Sequence, residues 1–291
     1  MSKNITCPIC NSKKIKKFWA MPGYSLAKCL NCDMVWDPFH LENTLSQYEK
    51  NYFVNDNPKG GYSNYFEGMK VNRKTFNLRL RRLSQKISAK KYLLDLGSAL
   101  GDFLLEAKSL GWTNTLGIEP SKYACLESRK RGVKALCSTL EKSNLKPNQF
   151  NAVTSQDVLE HVVNPIFHLK KINKILKPGG YLFIVTPNVK SNWSKILGSR
   201  WYHYKPGEHI NYFSPATVTQ ALTQAGFVNI KVSSTSHIMS LEYILNRCRY
   251  YFPHLLGFLL NLIKHSKIKN AALRLYTGEI EVWAQKRPTG L

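Results

Sequence analysis

Between Tyr92 and Ala284 short apolar runs alternate with stretches of helical period, and this alternation limits the chain to very few folds. Strands are expected at 92–96, 115–118, 134–137, 150–155, 181–185, 227–233 and 279–284. Helices are expected at 102–110 and at 121–131, where Ser121 is the N-cap, its side chain accepting an otherwise unpaired backbone N–H. Asn164-Pro165 opens a further helix that stops before Pro178-Gly179-Gly180, and Ser214-Pro215 opens one that ends at Gly226. Units of this kind build a mainly parallel sheet covered on both faces by helices. A chain of 291 residues with 43% hydrophobic residues can bury the core such a sheet needs.

The loop after the first of these strands reads Asp95-Leu96-Gly97-Ser98-Ala99-Leu100-Gly101-Asp102. Its glycines do not have the G-x-G-x-x-G spacing of a dinucleotide site. Glycine lets backbone approach a ligand closely, and the Asp95 carboxylate suits a ligand that carries an amino group. The second strand ends in Gly117-Ile118-Glu119-Pro120, where a carboxylate can accept both hydroxyls of a ribose.

On these residues, with the run Gln156-Asp157-Val158-Leu159-Glu160-His161-Val162 and with Leu176-Lys177-Pro178-Gly179-Gly180, residues 60–236 resemble the class I S-adenosylmethionine (SAM)-dependent methyltransferases. The resemblance implies a Rossmann-like, seven-stranded, mainly parallel α/β sheet whose antiparallel last strand is 279–284. It implies SAM as cofactor, with Gly97, Ser98 and Gly101 at its methionine part and Glu119 at its ribose. Thr139 and Leu140 would border the adenine, and Gln156 and Asp157 would lie beneath the sulfonium. Ala99 departs from the family pattern, where many members have glycine.

His161, Glu160 and His209 are the candidate catalytic residues. An imidazole after the fourth strand can serve as general base. Asp157, Glu160, His161 and His209 are also a candidate divalent-cation set, similar to one in small-RNA 2′-O-methyltransferases, and quinone O-methyltransferases share the Glu-His pair. A structural turn is the third reading of the same residues. The aromatic segment 191–213 is expected to form a lid or acceptor wall.

Cys7-x-x-Cys10 and Cys29-x-x-Cys32, with 18 residues between the pairs, have the spacing of a four-thiolate structural zinc ribbon. Cys125, Cys137 and Cys248 show no such spacing, and with no signal peptide expected and a cytoplasmic location, a disulfide framework is not expected. The expected organisation is a ribbon at 1–38, a linker or capping loop at 39–68, and a catalytic domain at 69–291 with a helical insertion at 240–278.

Forty-two Lys and Arg against 18 Asp and Glu give a formal charge of +24, which favours anionic partners. Nine of these cations and no acid lie between Met69 and Tyr92, on a helix that either faces solvent or an anion. The preferred acceptor is a small or glycan-type molecule, such as a nucleotide sugar, a lipid-linked glycan or a secondary metabolite, methylated on oxygen or carbon. An RNA methyltransferase and a non-catalytic zinc-ribbon binding protein are the alternatives. The insertion, apolar and basic, is a pocket cap, an oligomer contact or a peripheral contact with the inner face of a membrane.

Overall fold

The computed structural model describes residues 5–21, 24–39, 65–87, 89–205, 207–249, 251–263 and 265–290. Most of the linker or capping loop expected at 39–68, together with Tyr250 and Lys264 of the insertion, lies outside the described residues. The chain opens with three short strands, β1 (Ile15–Met21), β2 (Tyr24–Cys29) and β3 (Val35–Trp36). Helix α1 (Tyr65–Lys86) precedes β4 (Tyr92–Leu96), α2 (Asp102–Ser109), β5 (Asn114–Ile118), α3 (Lys122–Lys130) and β6 (Ala135–Leu136). There follow β7 (Phe150–Gln156), α4 (Pro165–Ile175), β8 (Leu176–Pro187), α5 (Asn192–Leu197), β9 (Asn211–Tyr212) and α6 (Pro215–Gln224). The last part comprises β10 (Phe227–Ser240), α7 (Leu241–Cys248), α8 (Pro253–Ile263) and β11 (Ala272–Lys286).

Seven strands form the main sheet in the order β10-β11-β8-β7-β4-β5-β6. Strand β11 is antiparallel to both neighbours, while β6, β5, β4, β7 and β8 run parallel, as the resemblance implied. From β4 the chain steps outward through β5 and β6, then returns to place β7 on the other side of β4. Strand order therefore reverses at β4/β7, and ligands bind beyond the carboxyl ends of the strands at such a point.

Alternate residues of the strands feed two cores. Leu94, Leu96, Val153, Leu182 and Ile184 pack with Leu169 and Ile172 of α4 and Val218 and Leu222 of α6. Leu93, Ala152, Phe183 and Val185 pack on the other face with Leu80 and Leu83 of α1 and Phe103 and Leu104 of α2. The expected caps form: Ser121 accepts from the Ala124 N–H, Asn164 from Phe167 and Ser214 from Thr217.

Three expectations change. Strands β10 and β11 extend well beyond 227–233 and 279–284, because the flanks of the insertion continue their pairing out to Ser240 and Ala272. The insertion at 240–278 is thus part hairpin and part helix. Strand β8 starts at Leu176, but its pairing with β7 passes from Leu176 directly to Tyr181, and the Pro178-Gly179-Gly180 run between them is an irregularity in which Gly179 has φ +73°. The basic helix keeps most of its described cations exposed, with Arg73 pairing with Glu106 at 2.9 Å and Arg82 with Glu281 from the surface, while Arg79 is buried and donates to Gln156 Oε1 at 2.7 Å. Finally, Cys125 and Cys137 are joined in a disulfide. Helix α3 and the segment after β6 are neighbours in the fold, which brings the two Cα atoms to 5.4 Å, a proximity that no spacing motif signals.

Candidate active site

A cleft of about 1680 Å³ opens at the carboxyl edge of the main sheet, above the β4/β7 reversal. Drug-sized ligands fill roughly 300–1,000 Å³, so this cleft has room for a cofactor and an acceptor together. Asp95, Gly97, Ser98, Glu119, Thr139, Leu140, Gln156, Asp157, Glu160, His161 and His209 all line it. Gly101 is not among the lining residues.

On the cofactor side the backbone carries the geometry. Gly97 has φ +65°, and a Cβ there would meet Val158 Cγ2 at 2.5 Å, so only glycine lets the loop lie against the turn after β7. At Gly101, φ is +85° and a Cβ would meet Val133 Cγ2 at 2.6 Å. That glycine packs closely against Val133 just after α3. Ala99 holds φ +46°, a left-handed conformation in which a side chain is strained. Glu119 accepts from Ala99 N at 2.8 Å and from Ser121 N at 2.9 Å, so one carboxylate pins both the glycine loop and the cap of α3. Burial pushes Glu119 up to about 6 and Asp95, which accepts from Thr154 Oγ1 at 2.6 Å, up to about 7. Both carboxylates are short of positive partners. The Ser98 hydroxyl is buried with no hydrogen-bond partner, and an amino-acid moiety in the loop would supply one.

On the acceptor side, Glu160, His161 and His209 place one potential ligand atom each within 4.8 Å of one another. Glu160 and His161 stand on a single helical turn after β7, and His209 arrives on the strand leading to β9, where the Ile210 N–H donates to the Glu160 carbonyl at 2.8 Å. Glu160 is buried, accepts from Thr186 Oγ1 at 3.0 Å, and is pushed well up by burial and then by the Asp157 charge. His161 Nδ1 lies 2.8 Å from the Glu208 carbonyl, so that nitrogen carries the proton and Nε2 the lone pair. Burial lowers His161 to about 4 and His209 well below its usual value. The His209 Nδ1 atom is buried without a partner.

Asp157 does not join this group. With φ +53° it faces a second cluster that sequence reasoning missed: Arg79, His203, His237 and Glu279, all lining the same cleft. His237 Nε2 lies 2.6 Å from Glu279 Oε2. Burial works to raise Glu279, but the His237 charge and hydrogen bond overcome it and hold it well below the carboxylate range. Burial and then the Glu279 charge push Asp157 up to about 7. Arg79 was visible only as one cation in a basic run, and His237 and Glu279 only as isolated polar residues at strand edges.

The aromatic segment divides between wall and core. Trp193, Trp201, Tyr202 and His203 line the cleft, whereas Tyr212 and Phe213 are buried in the core. Tyr204 stacks on Trp19, at 5.2 Å between ring centroids.

The four N-terminal cysteines also come together. Their sulfurs lie within 4.8 Å of one another, with Cys7 to Cys32 and Cys10 to Cys29 at 3.5 Å each. Zinc–sulfur arms of about 2.3 Å give tetrahedral edges of about 3.8 Å, close to this spacing. Backbone N–H groups of Ile9 and Asn31 donate to Cys7 and Cys29 sulfur, as a thiolate cage requires. This module shares a sheet with the catalytic region: β3 pairs with β9, Val35 to Tyr212 and Trp36 to Asn211. Tyr24 donates to the His209 carbonyl at 3.3 Å, and the Asp37 N–H donates to the Ile210 carbonyl at 2.8 Å. The cysteine module therefore clamps the strand that carries His209.

Residues 70–232 match a family described as methyltransferase domain. A ubiquinone biosynthesis O-methyltransferase of Dechloromonas aromatica is 32% identical over 134 residues, 43% of this chain and 57% of that protein. One of Coxiella burnetii is 26% identical over 184 residues, 58% of this chain and 78% of that protein. A SAM-dependent methyltransferase from Archaeoglobus fulgidus superposes with a TM-score of 0.51 at 18% identity, covering 75% of this chain and 96% of that one. A phosphoethanolamine N-methyltransferase 2 from Haemonchus contortus, solved with S-adenosylhomocysteine, gives 0.53 at 17% identity over 74% of this chain and 53% of that one. At these identities the two structures speak for the fold alone.

Proposed function

We propose that this chain, which belongs to the methyltransferase-domain family and is a class I SAM-dependent methyltransferase, methylates a hydroxyl oxygen of a ring-bearing acceptor with help from a divalent cation. The observation that carries the reading is the convergence of Glu160, His161 and His209 beside the glycine loop in one cleft. SAM, when bound, supplies a methyl group already activated on a positive sulfur. What remains for the protein is to align the acceptor oxygen with that methyl and to favour loss of the hydroxyl proton. Gly97, Ser98 and Asp95 hold the amino-acid part, Glu119 the ribose, and Thr139 and Leu140 the adenine.

We read His161 as a ligand in preference to a general base. An imidazole lowered to about 4 is a poor proton acceptor near neutral pH but a good neutral ligand, and the Glu208 carbonyl on Nδ1 orients it for that purpose. Glu160, buried with Thr186 as its side-chain donor, and the unpartnered His209 Nδ1 fit the same assignment. A cation held there would lower the pKa of an acceptor hydroxyl. Two imidazoles and a carboxylate suit a borderline ion such as Mn²⁺.

Trp193, Trp201, Tyr202, Tyr243 and Tyr276 wall the acceptor end, a lining that suits an aromatic ring. The named relatives act in quinone biosynthesis, which agrees with a phenolic acceptor. A lipid-linked glycan is a second reading, favoured by the apolar mouth of the cleft at Ile196 and Phe252, since sugar rings also stack on aromatic side chains. Against the RNA reading, Arg79 is buried at the cleft and Arg73 and Arg82, though exposed, are each paired with a carboxylate, which leaves fewer cations of the helix to meet phosphates. Family membership and the cofactor-side geometry replace the non-catalytic reading with an enzyme.

The cysteine cage is assigned to structural zinc. Burial pushes the Cys7 thiol up to about 11, and a cation is what makes four thiolates tenable in that place. Calorimetry tests the cofactor assignment: SAM should bind, and Glu119→Ala should weaken binding at least tenfold. The acceptor assignment is tested by turnover of a catechol panel with and without Mn²⁺. Methyl transfer that is indifferent to chelation would remove the cation from the reading.

A further inference from the structure

Helix α8 carries an apolar face that the described residues leave uncovered. Phe252, Leu255, Phe258 and Leu262 are each 60–63% exposed, and the last three recur at helical spacing along one side, while Leu256 on the opposite side is buried. Ile268, 61% exposed, and Leu273 lie on the segment that follows. Isolated exposed apolar residues are ordinary, but a contiguous row of large ones marks a contact surface.

Charge identifies the partner. Between Glu242 and Glu279 the sequence has no acid, and it carries Arg247, Arg249, Lys264, Lys267, Lys269 and Arg274. Arg249, Lys267 and Arg274 are exposed. An apolar row rimmed by cations fits a bilayer with anionic head groups, where the row enters the acyl boundary and the cations meet phosphates. Helix α8 has 11 residues, about 16 Å of helix, against the ~30 Å of a hydrocarbon core, and no described helix is long and apolar enough to cross a membrane. It would therefore lie in the interface.

The surface is also continuous with the cleft. Trp193, Ile196, Phe252 and Leu275 are exposed and line the cleft as well, so its mouth opens onto this face. We propose that the α8 face docks on an anionic lipid surface and delivers the cleft mouth to acceptors held in that surface. The docking does not depend on which acceptor is methylated or whether a cation assists, and its test uses neither.

The experiment is flotation of the full chain with vesicles of phosphatidylglycerol and phosphatidylcholine, compared with phosphatidylcholine alone, without SAM. Binding is expected to the anionic vesicles, at least about tenfold weaker to the neutral ones, and to fall as NaCl rises from about 0.1 to about 0.5 M and the screening length shrinks from roughly 10 Å to a few Å. The combined variant Leu255→Ser, Phe258→Ser, Leu262→Ser should lose about tenfold or more of the vesicle binding while keeping SAM affinity and thermal midpoint, because these side chains are exposed and do not line the cleft. Absence of vesicle binding overturns the proposal, as does equal binding to both vesicle types or full binding by the variant. A dimer in sedimentation velocity that the variant dissolves, without vesicle binding, assigns the face to a second copy instead.

Discussion

The cleft holds two carboxylate–histidine clusters, and they differ in how their charges are met. In the cluster around Asp157, Glu279 is balanced from within by His237, and the buried Arg79 guanidinium lies close enough to Asp157 and Glu279 for their charges to act on it, which offsets part of the burial that raises Asp157. In the cluster of Glu160, His161 and His209, both imidazoles are driven neutral and the carboxylate is driven toward its protonated form. A self-compensated cluster shapes a wall and contributes to the fold. An uncompensated one costs folding free energy unless a ligand completes it, and such sites are where function is found.

That contrast can be broken most sharply by His161→Ala, which should lower methyl transfer by about 10- to 100-fold or more, through loss of a cation ligand, while leaving the thermal midpoint within a few degrees. Mn²⁺ titration followed by paramagnetic resonance should lose its binding in the same variant. Glu279→Ala should do the reverse in kind. It removes the carboxylate that faces His237 and one of the three whose charges support the buried Arg79, and should cost about 3 kcal/mol in chemical denaturation. If this variant unfolds no more easily than the parent, the second cluster is not self-compensated as described.

Acid titration sharpens the comparison with a smaller effect. His161 and His203, both lowered to about 4 by burial, stay neutral in the fold while the unfolded chain takes up protons below about 6.5. The stability they support is complete above pH 6.5 and is lost as the pH falls toward 4. The decline should appear as a difference between the parent and His161→Ala melting curves, because the raised Asp95, Glu119 and Asp157 carboxylates change stability in the opposite sense over the same range. Added Mn²⁺ should raise the midpoint at pH 7.5 and lose its effect as the pH falls, because the cation competes with a proton for the raised Glu160 carboxylate. Smallest of all is the change expected at Ala99, away from both clusters. Ala99→Gly relieves a left-handed alanine and should stabilise by about 0.5–1 kcal/mol, a midpoint rise of a few degrees.

The cofactor side was legible because its signals are local. The Asp95-to-Asp102 loop, Glu119 at the end of β5 and the caps of α3, α4 and α6 each depend on residues within a few positions of one another, where conformational preference and hydrogen-bonding reach are written directly in the sequence. Even so, the same motif concealed a division of labour: Gly97 faces the cleft and Gly101 faces Val133, a difference made by the packing of α3. The acceptor side was legible in part. Glu160 and His161 adjoin in sequence, and His209 was named, but their separation from Asp157 depends on the backbone turn at φ +53°.

By itself the sequence determined the α/β alternation, the helix starts, the glycine loop and the two cysteine pairs, because hydrophobic period, capping and knuckle geometry act over a few residues. Only the tertiary structure decided which distant groups meet. Arg79 reaches His237 across 158 residues, Tyr24 reaches the His209 carbonyl across 185, and β3 finds β9 to make the cysteine module part of the catalytic wall. Such contacts follow from how the sheet and its helices pack as a whole, and no local preference of the chain encodes them.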